Sequence, residues 1–555
     1  MKRFALLLAI VFLCCGLPAL ADEGHHHEDL TPDQLGTVHF PVSCAASVQK
    51  PFERGVALLH SFWYEEAQKE FEDIAKHDPH CAMAHWGVAM SLWHQLWDTP
   101  KADTLAQGAA EVQKAKGLHA KTDRERDYIA AIGAFYEDSK KDHQVRAIAY
   151  SKAMERMYQR YPADREAAAF YALSLLASEP DHDTTFANRK QAAAVLEKLF
   201  AEEPNHPGVA HYLIHSYDRP QLAELGLPAA RRYAQIAPAA PHALHMPSHI
   251  FSRLGLWQED IDSNLASIAA TRKTAAMHMG GESHQFHAMD FLDYAYLQIG
   301  READAQKLVE EIKAMPPQPD MYGMGDPRIW ALAEFSARNA IELHHWQEAA
   351  SLSPVPQAQT GMNAVVYWAR AIGASRSGNT AQAAKDIEEM ESIRKALVSE
   401  KKKGFADEVD QERKEAQAWL DFAQGRGDSA VEALRAIADQ EEAEGGETGA
   451  FPARELLADM LLEMKRPEQA LAEYEADLKF NPNRFNGLYG AAHAAEMAGK
   501  TEQANTYYNI RPLTMHRYMS AVSGELAEEP MCTCHFAVQL SCVHQQHWVR
   551  AQGCP

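Results

Sequence analysis

The residues of this chain best equipped for chemistry are its 28 histidines, several of which recur at helical spacing. In the run HYLIHSYD, His211 and His215 stand four apart, which puts both imidazoles on one face of a helix. The run HALHMPSHIF places His242, His245 and His249 at steps of three and four, with Pro247 compatible only with a first helical turn. On neighbouring helices, His211, His215, His245 and His249 would form a four-nitrogen set suited to zinc, copper or nickel. His284, and His287 followed by Asp290, come one hairpin later and could add an imidazole or a carboxylate. The competing reading is structural, because half-buried histidines commonly bond carbonyls or carboxylates. The chain carries neither H-E-x-x-H nor paired C-x-x-C. His25–His27 read as a solvated leader that could scavenge metal.

Aromatic residues cluster beside these histidines. Trp86, Met90, Trp93 and Trp97 recur on one helical stripe, with Trp63 nearby. Such a stripe is core between helices or, on a concave wall, an anchor for an extended ligand. His60 and His94 end the equivalent helices of the first two hairpins. The candidate groove set is therefore His60, Trp63, Trp86, Trp93, His94, Trp97 and His287. Nucleophilic catalysis finds little support, since G-x-S-x-G is absent. Asp181-His182-Asp183 fits helix capping better than acid–base work.

These side chains need helices to position them, and the sequence supplies helices in pairs. In RGVALLHSFWYEEAQKEFEDIAKHDP, Gly55 falls on a first helix, Ala67 and Phe71 on a second, and Pro79 closes the unit. Small residues belong where two helices cross closely, and Phe71 fills the gap to the next helix. Near the other end, PEQALAEYEADLKFNP carries Ala470, Tyr474 and Pro482, and a step of 34 residues reaches Ala504 and Tyr508. The chain thus resembles the tetratricopeptide-repeat family, most specifically over Gly55–Pro79 and Ala458–Tyr508. The resemblance implies an all-α, right-handed superhelical solenoid of helical hairpins, and a scaffold that binds a peptide, protein or small ligand in its concave groove. A metal-binding protein or metalloenzyme of the hydrolase or oxidase class, using the histidine cluster with zinc or copper, is the alternative.

Composition narrows the partners. Acidic residues number 77 against 54 basic, a net charge of −23, which repels phosphate backbones and disfavours nucleic acid. Residues 1–21 read as a secretory signal, with Lys2 and Arg3, an apolar run, and Ala19-Leu20-Ala21 as cleavage site. The mature protein is expected in the periplasm or outside the cell, with no integral membrane segment. In an oxidising compartment Cys44 and Cys81, the only cysteines between the signal and the tail, make a plausible disulfide. The expected organisation is a leader over 22–46, a His- and Trp-rich array over 47–315, a plainer array over 320–510, and a Cys-rich tail over 511–555. Cys532-Thr533-Cys534-His535 falls one residue short of the haem-attachment motif. The tail reads as a metal or disulfide clip, or as a segment unrelated to the fold.

Overall fold

A glycine on one helix and an aromatic ring on the next fix how closely the hairpins stack. A Cβ on Gly55 would lie 2.8 Å from the Phe71 ring, and one on Gly87 only 2.3 Å from it. Phe71, on the helix Tyr64–His77, is thereby clamped between the first helix of its own hairpin, Gln49–His60, and the first of the next, Ala82–Ser91. The lock recurs near the far end, where a Cβ on Gly490 would meet Tyr474 at 2.2 Å. Close crossing of this kind needs one side to have no side chain.

The structure, a computed structural model, describes residues 30–93, 99–280, 283–318 and 325–510. Among these residues the regular elements are all helical, and the hairpins stack into a right-handed superhelical solenoid of tetratricopeptide-like units. First helices of successive hairpins touch one another along the inner wall, as Arg165–Ala177 does Pro207–Tyr217 and Ala364–Arg376 does Lys403–Ala423. Second helices bury one stripe only. In Glu302–Ala314 that stripe is Ala305, Leu308, Val309 and Ile312. Among the described residues no helix is long and apolar enough to cross a membrane.

The turn inside eight of the hairpins carries a left-handed residue. Glycine fills it at Gly255, Gly300, Gly378, Gly425 and Gly499, but Phe62, His344 and Lys465 fill it elsewhere. A side chain there costs about 1–2 kcal/mol, so Phe62, with φ of 54°, is held by what its ring touches.

Two further contacts shape the inner wall. The segment Gly36–Ser43 runs along it. Thr37 N–H donates to the Asn205 carbonyl, Phe40 N–H to Glu53, and Ser43 N–H and Oγ–H to Glu125. Phe40 packs edge-on against Trp86 and Tyr128 at 5.4 and 4.8 Å. The Cys44 and Cys81 sulfurs end this strap at bonding distance, 2.05 Å apart. At the other side, the last hairpins return to the middle of the chain. Trp257 Nε1–H donates to the Asn483 carbonyl at 2.8 Å. Arg484, wholly buried, donates to Glu342, Glu455 and the Tyr294 hydroxyl. Residues 1–29 with the signal and His25–His27, His94, Trp97 and the tail 511–555 lie outside the described residues.

Candidate metal centre

Three helical segments converge at the histidines. Pro207–Tyr217 carries His211 and His215. Pro241–His245 and Pro247–Arg253, joined through a helical Met246, carry His242, His245 and His249. Pro247 stands at the first position of its segment, where its missing N–H costs nothing. Ser283–Gln298 carries His284 and His287.

The four-histidine set expected from the sequence divides. His211 and His215 group with His242, while His245 and His249 group with His287, and within each group three ligand atoms lie within 4.8 Å of one another. The reason is the three-residue step from His242 to His245. It sends His242 toward the preceding first helix and His245 toward the following one, so each four-residue pair gains its third imidazole from a neighbour. Of the groove candidates, His287 belongs to this centre.

Hydrogen bonding decides which nitrogens are bare. His211 Nδ1–H donates to the His60 carbonyl at 2.6 Å, which can only accept, so Nε2 of the neutral ring holds a lone pair. Nε2 of His215 and of His242 each stand 3.1 Å from it. In the second group His245 Nδ1–H donates to Asn264 Oδ1 at 2.7 Å, and His249 Nδ1–H to Asp218 at 2.8 Å. The Asn264 amide is oriented by its own donation to the Asp260 carbonyl. Both rings therefore turn a bare Nε2 to the other across 3.0 Å. Burial holds His211 and His287 down to about 3 and pushes His215, His242 and His245 well below the usual histidine range. A second proton on these rings is thus disfavoured. Metal–nitrogen bonds of 2.0–2.1 Å in a tetrahedral site need nitrogens about 3.3 Å apart, a few tenths more than the spacing found.

One phenylalanine walls each group. The Phe62 ring lies 4.2 Å from His211 and stacks on His215 and His242 at 5.6 and 5.4 Å. Phe291 lies 4.9, 4.5 and 5.3 Å from His245, His249 and His287. The unusual backbone of Phe62 is thereby tied to the first group.

A third cluster looks similar and behaves differently. Glu166 joins His60 Nε2 at 2.8 Å and His206 Nε2 at 3.0 Å. Here the remaining nitrogens are also partnered: His60 Nδ1 meets the Tyr212 hydroxyl, and His206 Nδ1 accepts from Val209 N–H. Burial opposes ionisation of Glu166, but the two imidazoles hold its carboxyl below the usual range. No bare nitrogen is left, so this cluster is a structural tie.

The other groove candidates are interior. His60 is fully buried, and Trp63, Trp86 and Trp93 are each 1% exposed. Trp63 Nε1–H donates to the Met279 carbonyl, and Trp86 lies beneath Phe40 of the strap. They pack between helices and cannot meet a ligand without rearrangement. Sequence spacing missed Asp218, Asn264, Phe62 and Glu166, whose roles depend on contacts between hairpins.

No family model and no curated protein matches this chain. Among solved structures it is similar to the human IFIT1 dimer with m7Gppp-AAAA, at 12% identity and a TM-score of 0.33, over 84% of this chain and 95% of that one. It is also similar to the APC/C hetero-tetramer Cut9–Hcn1, at 13% identity and a TM-score of 0.32, over 82% of this chain and 78% of that one. At such scores nothing about ligand or partner passes from them to this chain.

Proposed function

We propose that the protein is a metal-binding protein whose two histidine triads, His211/His215/His242 and His245/His249/His287, hold transition-metal ions of the zinc and copper class. The observation that carries this reading is the convergence of three imidazoles in each buried triad, their ligand atoms within 4.8 Å of one another, with the bare Nε2 atoms of His211, His245 and His249 turned into the two gaps. The Nδ1 protons of His211, His245 and His249 are fixed outward by acceptors, the arrangement that orients metal-ligating histidines and sharpens their basicity. The solenoid serves as a rigid frame that brings three neighbouring first helices to one point. The export reading of the leader would place this centre in an oxidising compartment, where Cys44–Cys81 would anchor the strap as a disulfide. A peptide or protein partner on the inner wall would have to bind beyond the stretch that Gly36–Ser43 already covers.

Elemental analysis of the full-length protein tests the reading. Wild type is compared with His211→Ala/His215→Ala and with His249→Ala/His287→Ala, each checked for helicity by circular dichroism. The expected result is one equivalent of metal fewer in each variant. Adventitious metal on the leader or tail cancels in that difference. Equal metal in all three folded proteins would end the proposal.

A further inference from the structure

The second triad is tied to a distant part of the chain. Past the helix Gly427–Glu444 the backbone turns through Gly445, Gly446 and Gly449, with φ of 93°, 54° and 88°, and two arginines clamp this loop at its ends. Arg253, which closes the segment carrying His249, holds the first end: Nη1–H donates to the Gly445 carbonyl at 3.2 Å and Nη2–H to the Gly446 carbonyl at 3.0 Å. Arg338 holds the second, giving Nε–H to the Gly449 carbonyl at 3.1 Å and Nη2–H to Asp290 at 2.7 Å. Asp290 lies three positions beyond His287 on the same helix. Gly445 has no room for a side chain, since a Cβ there would stand 2.4 Å from Arg219 Cδ.

Arg253 links this loop to a metal-facing ring. With its terminal amino groups spent on the loop, it offers Asp218 only Nε–H, to Oδ1 at 3.0 Å, and Oδ2 remains for His249 Nδ1–H at 2.8 Å. A guanidinium freed from the loop can pair with the carboxylate through two parallel N–H bonds, the geometry these groups favour. That pairing takes Oδ2 from His249, and with it the contact that fixes the tautomer of the ring. We infer, resting on the metal reading above, that Gly445–Gly449 is a latch on the second triad, with Arg253 as the positioning residue between them. Docked, the loop holds His249 ready for metal. Metal bound there in turn holds the loop docked, because coupling between two sites is reciprocal. The occupancy of one triad is thereby passed to the C-terminal array. The first triad, oriented by the His60 carbonyl, takes no part.

The test compares the full-length protein, metal-free and zinc-loaded, by hydrogen exchange over residues 442–450 and by chelator competition fitted to two sites, which the double variants above assign. Zinc should slow exchange of the loop by about 5-fold or more, while the turn at Gly425 exchanges as before. Gly445→Val, which unseats the loop, should weaken zinc at the second triad by about the same factor and leave the first unchanged. Gly425→Val controls for strain alone: Gly425 is also left-handed, with φ of 84°, and a Cβ there would meet nothing within 4 Å. The exchange comparison on wild type depends on no variant folding. Loop exchange that ignores zinc, zinc constants of Gly445→Val that match those of Gly425→Val, or equal losses at both triads would each overturn the latch and leave the metal reading standing. Absence of zinc from both triads would remove the metal reading, and the latch with it.

Discussion

Asp218 touches neither gap between the bare nitrogens, yet it should control one of them. Its Oδ2 accepts from His249 Nδ1 at 2.8 Å and its Oδ1 from Arg253 Nε at 3.0 Å. Burial resists its charge, but Arg253 and His249 hold the carboxyl well below its usual range. Asp218→Asn preserves the shape and removes the charge. The amide oxygen can still accept one bond, but the amide nitrogen must then face a second donor, either His249 or Arg253. His249 thus loses the acceptor that fixes its tautomer, the charge that raises its basicity, or both. Loss of such an outer partner weakens metal binding by about 10–100-fold, which is about 1.4–2.8 kcal/mol. The loss should fall on the triad His245/His249/His287. The other triad is oriented by the His60 carbonyl and should keep its affinity. Chelator competition with zinc, fitted to two sites, reads both constants, and a melt of the metal-free protein reports any separate effect on folding. Two unchanged constants, or two equal losses, would refute the assignment of Asp218 to one triad.

Three stability predictions follow from the frame around the centre. Arg484→Met leaves Glu342 and Glu455 buried without their shared cation, and should cost about 3–5 kcal/mol in denaturant unfolding; a loss under about 1 kcal/mol would contradict the geometry. Gly87→Ala places a methyl against Phe71 from 2.3 Å, so about 1–3 kcal/mol should be lost, and a neutral result would mean the hairpins slide freely. Burial raises Glu415 to about 8, so its uptake of a proton stabilises the fold fully below the unfolded value near 4.5. That contribution disappears as pH rises through 8. Glu415→Gln should keep the bond from Trp368 Nε1 and shrink the drop in melting temperature between pH 5 and pH 9. An unchanged drop would show that Glu415 is ionised throughout.

What the sequence disclosed and what it hid divide along the range of the contacts. Gly55, Ala67 and Phe71 are legible because their partners lie within one hairpin or the next, and helical periodicity reports contacts of that range. The pairs His211/His215 and His245/His249 are legible for the same reason. Their grouping was not, because the turn from one first helix to the next decides whether His242 faces backward or forward, and no spacing within one helix encodes it. The strap is a stronger case. Phe40 and Ser43 sit in a stretch with no period, and their partners Trp86, Tyr128 and Glu125 lie 46 to 88 positions further along. Trp86 therefore reads from sequence as core between helices or as an anchor on a concave wall, and stands in the structure as a floor covered by Phe40. Phe62 is the exception that local reasoning could have caught. It occupies the turn position that five later hairpins give to glycine, and a bulky residue held there at a cost points to a duty for its ring. That ring closes one side of the first triad, so backbone strain in the first hairpin, imidazoles in the fifth and sixth, and the carbonyl of His60 are parts of one site.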